Sequence, residues 1–321
     1  MSDNQLYANG RVAVLSTKLL AQDKFVRLIE CSNMAEALRV LSESGYANGL
    51  TVDNPNDYES ILRAELDSAL SLFKELCYDK YAVSYILAEY DYLNAKTLMK
   101  CKYMRVDGLP YCFAETSIPP ETMQTAIVSD DYSAFSKNMA EALDCVDTSF
   151  ANGNRSPQTV DVTLDKAMYK DMLAYAKKCS FKLLRKLFEY KVDTTNLMTL
   201  YRMKKAELSL ENFKEMLIDG GSVSAETLIK LWDNEQAALD LPSEYKPFYS
   251  LCTADNSALT PAETERNEYM YKLICENVDL MTIQPVLEYL FKKVGEIDKV
   301  RRILVGVKSG ADKEKLKDLI K

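Results

Sequence analysis

Residues 91–102 read Asp-Tyr-Leu-Asn-Ala-Lys-Thr-Leu-Met-Lys-Cys-Lys, and residues 193–204 read Asp-Thr-Thr-Asn-Leu-Met-Thr-Leu-Tyr-Arg-Met-Lys. Six positions match at one constant offset of 102 residues: five are identical, and at the sixth Lys100 corresponds to Arg202. A second segment, Asn-Met-Ala-Glu-Ala-Leu, stands at residues 33–38 and again, unchanged, at residues 138–143. The two segments keep their order, so the chain contains an internal repeat with a period of about a hundred residues.

A third and more diverged copy follows. Its counterparts to the two segments are Asn234–Leu239 and Glu296–Ile303, in a similar order. In every copy a polar segment that carries proline lies between the two markers, at Pro55, Pro157 and Pro261. The chain therefore contains three versions of one unit.

Three units also suit the length of the chain. Domains usually contain about 50–250 residues, and the chain has 321 residues. Candidate boundaries lie near Gly108 and Ala206, and no linker rich in serine and glycine marks either one. We predict helical repeat units at residues 1–107, 108–206 and 207–321 that pack as one body.

The spacing of apolar residues predicts helices throughout the chain. Leu62, Leu66 and Leu70 recur at helical intervals. A matching set lies 102 residues later at Leu164, Met168 and Met172. With 47% hydrophobic residues each unit can bury a core, while 10 glycines and 9 prolines are few for the turns of an all-β protein. We predict an all-α protein of three similar helical domains, in which Gly295 ends the helix before the third marker.

The composition excludes several classes of function. Histidine is absent, which rules out Ser-His-Asp and Cys-His nucleophile systems and nearly all catalytic zinc sites. The glycine-rich loops that hold phosphates are also missing. A net charge of −8, from 48 acidic and 40 basic residues, argues against a nucleic-acid partner. We predict no catalytic residue, no cofactor site and no metal site.

The cysteines and the apolar runs bear on location. The 8 cysteines form no Cys-x-x-Cys pair and fall mostly in apolar helical stretches, which favours a reducing cytoplasm over a disulfide framework. The N-terminus carries no signal pattern, and no uncharged apolar run approaches the roughly 20 residues that cross a bilayer. We expect a chain that is soluble on its own and has no transmembrane segment.

The acidic residue of each marker is predicted to have a structural role. Asp91 and Asp193 are placed at helix starts, where a carboxylate accepts hydrogen bonds from free backbone N–H groups. Asn94 and Asn196 follow one turn later and are expected to close the cap or to bridge neighbouring helices. Glu296 is the counterpart in the third unit. A catalytic pair is disfavoured, because the acids of the first two markers lie in different units.

The cationic residues of the markers are candidates for a partner-binding surface. They are Lys100, Lys102, Arg202, Lys204, Arg301 and Arg302. The last of them belong to residues 291–321, where ten lysines and arginines stand against five acidic residues. Such a cluster suits an acidic partner or lipid head groups. An ordinary solvated helix face is the alternative.

Several segments together resemble one family, the C subunit of V-type ATPases of the vacuolar and archaeal types, which is similar to the eukaryotic d subunit. The segments are Leu19–Leu28, Ala37–Tyr46, Asp91 with Asn94, Asp193 with Asn196 and Leu197, and Glu296–Lys308. They span almost the whole chain in the order of the family. The third marker departs from the pattern, since Lys299 replaces the usual asparagine.

The resemblance implies a funnel of three helical domains about a pseudo-threefold axis. It also implies a non-catalytic central-stalk subunit, peripheral to the membrane on its cytoplasmic face. Such a subunit is a socket that couples the rotating central shaft to the ring of proteolipid subunits during ATP synthesis and proton or sodium transport. Its partners are then the shaft subunits and the ring, and ATP hydrolysis belongs to other subunits.

Two other interpretations stay open on the residues alone. One is a stand-alone cytoplasmic scaffold of helical repeats that binds another protein. The other is an enzyme that works through Asp, Glu, Lys or Tyr side chains, whose required signature is turnover by the isolated chain.

Overall fold

A computed structural model describes residues 3–254, 260–276 and 278–318. Of these described residues 77% are helical, and no β-strand occurs among them, which confirms the predicted all-α class. Within the same residues, none of the helices is both long enough and apolar enough to span a bilayer. All eight cysteines are free thiols.

The described residues contain fifteen α-helices. They are α1 (Asp3–Ser16), α2 (Gln22–Glu30), α3 (Met34–Glu43), α4 (Tyr58–Leu76), α5 (Lys80–Met104), α6 (Pro120–Ser129), α7 (Lys137–Ala151), α8 (Pro157–Lys178), α9 (Leu183–Lys205), α10 (Leu210–Met216), α11 (Ala225–Asp233), α12 (Lys246–Thr253), α13 (Thr260–Cys275), α14 (Gln284–Ser309) and α15 (Lys313–Asp318).

The chain forms two compact units. Unit 1 combines the N-terminal segment Met1–Tyr78 with the C-terminal segment Asn277–Lys321. Within it α14 packs against α4 and also contacts α1, α2 and α3. The apolar face predicted on α4, with Leu62, Leu66 and Leu70, is buried. The two ends of the chain therefore build one core together.

Unit 2 is the continuous segment Asp79–Glu276. Its most extensive helix contact joins α5 to α8, and α7 packs on α8 as well. The matching apolar face on α8, at Leu164, Met168 and Met172, is buried as predicted. Further along, α9 packs with α11, α12 and α13 around a core that includes Phe213 and Phe248. The three-unit boundaries at 107/108 and 206/207 stay a prediction.

The repeated hexapeptide begins its helices in different ways. Asn33 caps α3, because its side-chain oxygen accepts from the N–H of Glu36 at 3.0 Å, and the Glu36 carboxylate accepts in return from the N–H of Ser32. In α7 the cap is Ser136 instead. Asn138 lies inside that helix, where its amide donates to a carboxylate 33 positions away along the chain. The two copies of the hexapeptide are therefore identical in sequence but differ in their hydrogen bonds.

Three expectations about helix ends were wrong. Asp91 and Asp193 are not at helix starts, since α5 begins at Lys80 and α9 at Leu183. Gly295 does not end a helix, because α14 runs through it. A single exposed glycine weakens a helix by only about 1 kcal/mol relative to alanine, which the packing of α14 outweighs. Two of the prolines in the polar segments, Pro157 and Pro261, are the first residue of α8 and the second of α13, and proline is accommodated in the first turn of a helix.

Candidate functional site

The first marker holds the segment of chain that leads into α6. Asn94 on α5 exchanges two hydrogen bonds with the backbone of Phe113, donating from its amide at 2.9 Å and accepting at its oxygen at 2.8 Å. Asp91, one turn earlier on the same helix face, accepts from the N–H groups of Ser117 and Ile118 at 2.8 and 3.3 Å. We call this pair of side chains the α5 clamp.

The second marker makes the same contacts in the next part of the chain. Asn196 on α9 exchanges hydrogen bonds with the backbone of Ile218 at 2.9 and 3.0 Å. Asp193 accepts from the N–H groups of Ser222 and Val223 at 2.8 and 3.2 Å. We call this pair the α9 clamp. In both clamps the first N–H bound by the aspartate comes four residues after the residue bound by the asparagine.

The third marker retains half of this arrangement. Glu296 on α14 accepts from the N–H of Leu20 at 2.5 Å, whereas Lys299, at the position of the asparagine, is exposed. In all three cases the acid binds an N–H two residues before a helix begins: Ile118 precedes α6, Val223 precedes α11 and Leu20 precedes α2. The acids therefore fix the entry to another helix and do not cap their own.

The α9 clamp is closed to solvent. Asp193 is 0% exposed, and it also accepts from the hydroxyls of Ser222 and Tyr245 at 2.8 and 2.7 Å. Burial raises the pKa of Asp193, although the hydrogen bonds from Tyr245 and Ser222 act to lower it. A β-carbon on Gly221 would lie 1.9 Å from the Asp193 carboxylate. The Asp193 carboxylate is therefore shielded from solvent and surrounded by donors from its own chain.

A buried ionic triad surrounds the third marker in unit 1. The Lys293 ammonium lies 2.6 Å from the Glu296 carboxylate and also contacts Glu65. Its side chain is 11% exposed, and those of Glu65 and Glu296 are 11% and 5% exposed. Burial lowers the pKa of Lys293, but the attraction of Glu296 and Glu65 outweighs it and leaves the pKa above its usual value. The ammonium also lies 5.0 Å from the centre of the Tyr46 ring.

The triad supports an unusual turn. Glu65 accepts from the N–H of Ala47 at 2.5 Å. Ala47 and Asn48 have φ values of 49° and 55°, between Gly45 at 73° and Gly49 at 76°. A left-handed alanine costs roughly 1–2 kcal/mol, so the hydrogen bond to Glu65 stabilises a conformation that the residue itself disfavours. This turn borders a cavity of about 650 Å³ within unit 1, which Lys293 and the apolar side chain of Leu72 also line.

The cations predicted as a partner surface lie on three different helices, α5, α9 and α14. Five of the six form ion pairs within the chain, at N–O distances from 2.5 to 3.8 Å. The pairs are Lys100 with Asp161, Lys102 with Asp130 and Asp147, Arg202 with Glu263, Lys204 with Glu235, and Arg301 with Glu59 and Asp298. Arg302 is exposed. Partner binding by these six stays a prediction, and residues 319–321 of the basic stretch lie outside the described residues.

Sequence reasoning missed Glu65 and Lys293, because neither is part of a repeated segment. It also missed what the clamps bind, since a backbone N–H has no side-chain identity that a pattern could reveal. One signal was present at Gly221, where the absence of a side chain admits the Asp193 carboxylate. Among the residues whose placement is described, no three His, Cys, Asp or Glu side chains are grouped so as to hold a metal ion.

Comparison with known proteins gives consistent matches over almost the whole chain. The family model described as ATP synthase (C/AC39) subunit matches residues 8–319. The C subunit of the A-type ATP synthase of Thermococcus kodakarensis is 25% identical over 335 residues, covering 98% of this chain and 89% of that protein. The C subunit of the A-type ATP synthase of Methanosarcina mazei is 26% identical over 343 residues, covering 99% of this chain and 92% of that protein.

Proposed function

This chain belongs to the ATP synthase (C/AC39) subunit family, and we propose on that premise that it is a non-catalytic central-stalk subunit of a rotary ATPase. It is a socket that couples the rotating shaft to the proteolipid ring in the membrane. The observation that carries the proposal is the family match, which runs over residues 8–319. The relatives from Thermococcus kodakarensis and Methanosarcina mazei are each named as the C subunit of an A-type ATP synthase.

The geometry suits a part that transmits torque. The three marker helices are long, with 25, 23 and 26 residues in α5, α9 and α14. Each is fastened by a buried acid to the segment just before another helix. Such bonds resist sliding and rotation of one helix against the next, because breaking them leaves a buried carboxylate without donors. A socket that yields under load would lose the rotation it is meant to pass on.

The accessible chemistry also favours a mechanical role over an enzymatic one. The marker acids Asp91, Asp193 and Glu296 are buried, at 6%, 0% and 6% exposure, and are occupied by backbone N–H groups. A general acid or base must reach the substrate within hydrogen-bond distance. Catalysis therefore belongs to other subunits in this proposal.

The proposal extends to location and organisation. The chain associates peripherally with the membrane, at its cytoplasmic face, by binding the proteolipid ring. Its partners are that ring and the shaft subunits. The repeat units predicted at residues 1–107, 108–206 and 207–321 are in this proposal the three helical domains that the family resemblance implies.

Reconstitution tests the proposal. The purified chain is mixed with shaft subunits and with detergent-solubilised proteolipid ring, and the products are separated by size. We expect a complex containing shaft, ring and this chain, and no shaft–ring complex when the chain is omitted. A chain that binds neither component would refute the proposal and favour the stand-alone scaffold. Turnover by the isolated chain would favour the enzyme.

A further inference from the structure

One surface of unit 2 gathers exposed lysines from three chain segments. They come from the first turn of α5, the last turn of α8, and the turn between α8 and α9 with the beginning of α9. The residues are Lys80, Lys177, Lys178, Lys182 and Lys186, all exposed, and we call them the lysine cluster.

The segments that carry the cluster are fastened together by Asp79. One oxygen of its carboxylate caps α5 by accepting from the N–H groups of Tyr81 and Ala82 at 2.9 and 3.3 Å. The other accepts from the N–H and hydroxyl of Ser180, in the turn after α8, at 2.9 and 2.6 Å. The beginning of α5 and the turn between α8 and α9 therefore form one fixed surface.

Two lysines of the cluster share one aromatic neighbour. The ammonium groups of Lys80 and Lys178 lie 5.1 and 5.7 Å from the centre of the same Tyr81 ring. One aromatic ring attracts a cation, but two ammonium groups beside one ring also repel each other. Nothing within this pair of contacts neutralises that repulsion.

The cluster lacks carboxylate partners within the part of the chain that the structure describes. None of its five lysines takes part in an ion pair there, although the chain carries a net charge of −8. The carboxylate that joins its segments, that of Asp79, is occupied by its hydrogen bonds. The neighbouring cation Arg185 is paired with Glu189 at 2.7 Å. The surplus positive charge therefore belongs to the lysines.

The position of the cluster on its helices increases the surplus. Lys80 is the first residue of α5, Lys182 is the N-cap of α9, and Lys186 follows near the beginning of that helix. Helix N-termini carry partial positive charge and favour acidic side chains. Lysines at two such ends run against this preference for negative charge. An anion bound from outside would satisfy it.

We propose that the lysine cluster is a docking surface for a carboxylate-rich segment of a partner protein. The inference rests on the proposed function, in which this chain joins two other components of a rotary complex. A protein segment fits better than a lipid surface, because the aromatic side chains in these segments, Tyr81 and Phe181, are only partly exposed, and membrane-binding surfaces combine cations with apolar groups that insert.

The test compares two variants of the full chain that lose the same charge. The first carries K80Q, K177Q, K178Q, K182Q and K186Q. The control carries R39Q, K137Q, K214Q, K230Q and K272Q, which remove cations that are ion-paired elsewhere in the chain. Binding is measured to detergent-solubilised proteolipid ring, to the shaft subunits, and to phosphatidylcholine vesicles containing phosphatidylglycerol. Each is measured at about 0.05 M and 0.5 M salt.

We expect the cluster variant to bind either the ring or the shaft roughly tenfold more weakly or worse at low salt, with a smaller salt dependence than the wild type. The control variant should bind as the wild type does, and both variants should keep the helical circular dichroism and melting temperature. Wild-type affinity of the cluster variant for ring and shaft would overturn the inference alone, and so would a loss confined to vesicles. A wild-type chain that binds neither protein would overturn the proposed function, and the inference with it.

Discussion

Asp193 accepts the hydroxyl of Tyr245 at 2.7 Å in a place from which solvent is wholly excluded, since Asp193 is 0% exposed. A carboxylate removed from water is stable only where donors surround it. Here the backbone and hydroxyl of Ser222 and the N–H of Val223 supply the other donors. Each of these hydrogen bonds should therefore contribute measurably to the free energy of unfolding.

Removing the Tyr245 hydroxyl should destabilise the protein. Tyr245→Phe leaves the Asp193 carboxylate with one donor fewer, and a hydrogen bond to a charged group contributes about 1.5–3 kcal/mol. We expect the free energy of unfolding in urea to fall by that amount. Tyr190→Phe is the matched control, because Tyr190 stacks on Tyr245 and its buried hydroxyl has no partner among the described residues. Equal losses in the two variants would contradict the role assigned to Tyr245.

Gly221 and Gly295 should respond oppositely to alanine. In Gly221→Ala the new β-carbon would lie 1.9 Å from the Asp193 carboxylate, so the α9 clamp must shift. We expect a loss of about 3 kcal/mol or more. In Gly295→Ala the β-carbon meets nothing within 4 Å, in the middle of α14, and we expect a gain of up to about 1 kcal/mol. Thermal unfolding measures both, and a stable Gly221→Ala variant would show that the clamp is looser than described.

The asparagines of the α5 and α9 clamps should contribute similar amounts to the free energy of unfolding. Asn94→Ala and Asn196→Ala each remove a side-chain amide that donates to a backbone C=O and a side-chain oxygen that accepts from the N–H of the same residue. We expect losses of about 2–4 kcal/mol in each, measured by urea unfolding. Lys299→Ala, at the equivalent exposed position of the third marker, should change stability by less than about 0.5 kcal/mol. A large loss at Lys299, or none at the two asparagines, would argue against equivalent clamps.

The triad in unit 1 should be sensitive to the loss of its cation. Lys293→Met leaves Glu65 and Glu296 buried without a counter-charge, and breaking a buried pair in this way costs about 3–5 kcal/mol. Adding Glu65→Gln and Glu296→Gln should restore part of the stability, since the repulsion disappears. Lys292→Met is the control, because that lysine pairs with Glu288 nearer the surface and should cost less than about 1 kcal/mol. Chemical denaturation distinguishes them, and similar losses at the two lysines would contradict this account.

The stability contributed by Asp147 should depend on pH. Burial raises the pKa of this carboxyl, but hydrogen bonds from Tyr103, Tyr132 and Lys102 outweigh it and hold the pKa below its usual value. The unfolded chain then takes up the proton first as pH falls. The contribution is therefore present above the ordinary Asp pKa of about 3.9 and is lost as pH falls through the lower folded value.

The corresponding measurement compares Asp147→Asn with the wild type in urea at several pH values. We expect Asp147→Asn to be less stable by about 2 kcal/mol at pH near 7, and the difference to shrink below about pH 4. Asp144→Asn, an exposed change on the same helix, should change stability by less than about 0.5 kcal/mol at pH near 7. A gap between wild type and Asp147→Asn that is constant with pH would contradict the prediction.

Much of the helical content was predictable because amphipathic spacing is local. The buried faces of α4 and α8 were predicted from leucines and methionines at helical spacing. The ends of the long helices were not, since a polar Asp91 or Asp193 inside a helix has the same appearance as a capping residue. What distinguishes the two cases is a donor that lies 26 and 29 residues further along the chain.

The residues of the candidate site were also predictable in part from local sequence, whereas their partners were not. Repetition in the sequence alone identified Asp91, Asn94, Asp193, Asn196 and Glu296 as related residues, because equivalent positions in a repeat tend to keep equivalent side chains. Only the tertiary structure showed what they bind. Their partners are backbone groups, as far as 276 residues away for Glu296 and Leu20, and the hydrogen bond to a peptide N–H does not depend on which side chain that residue carries.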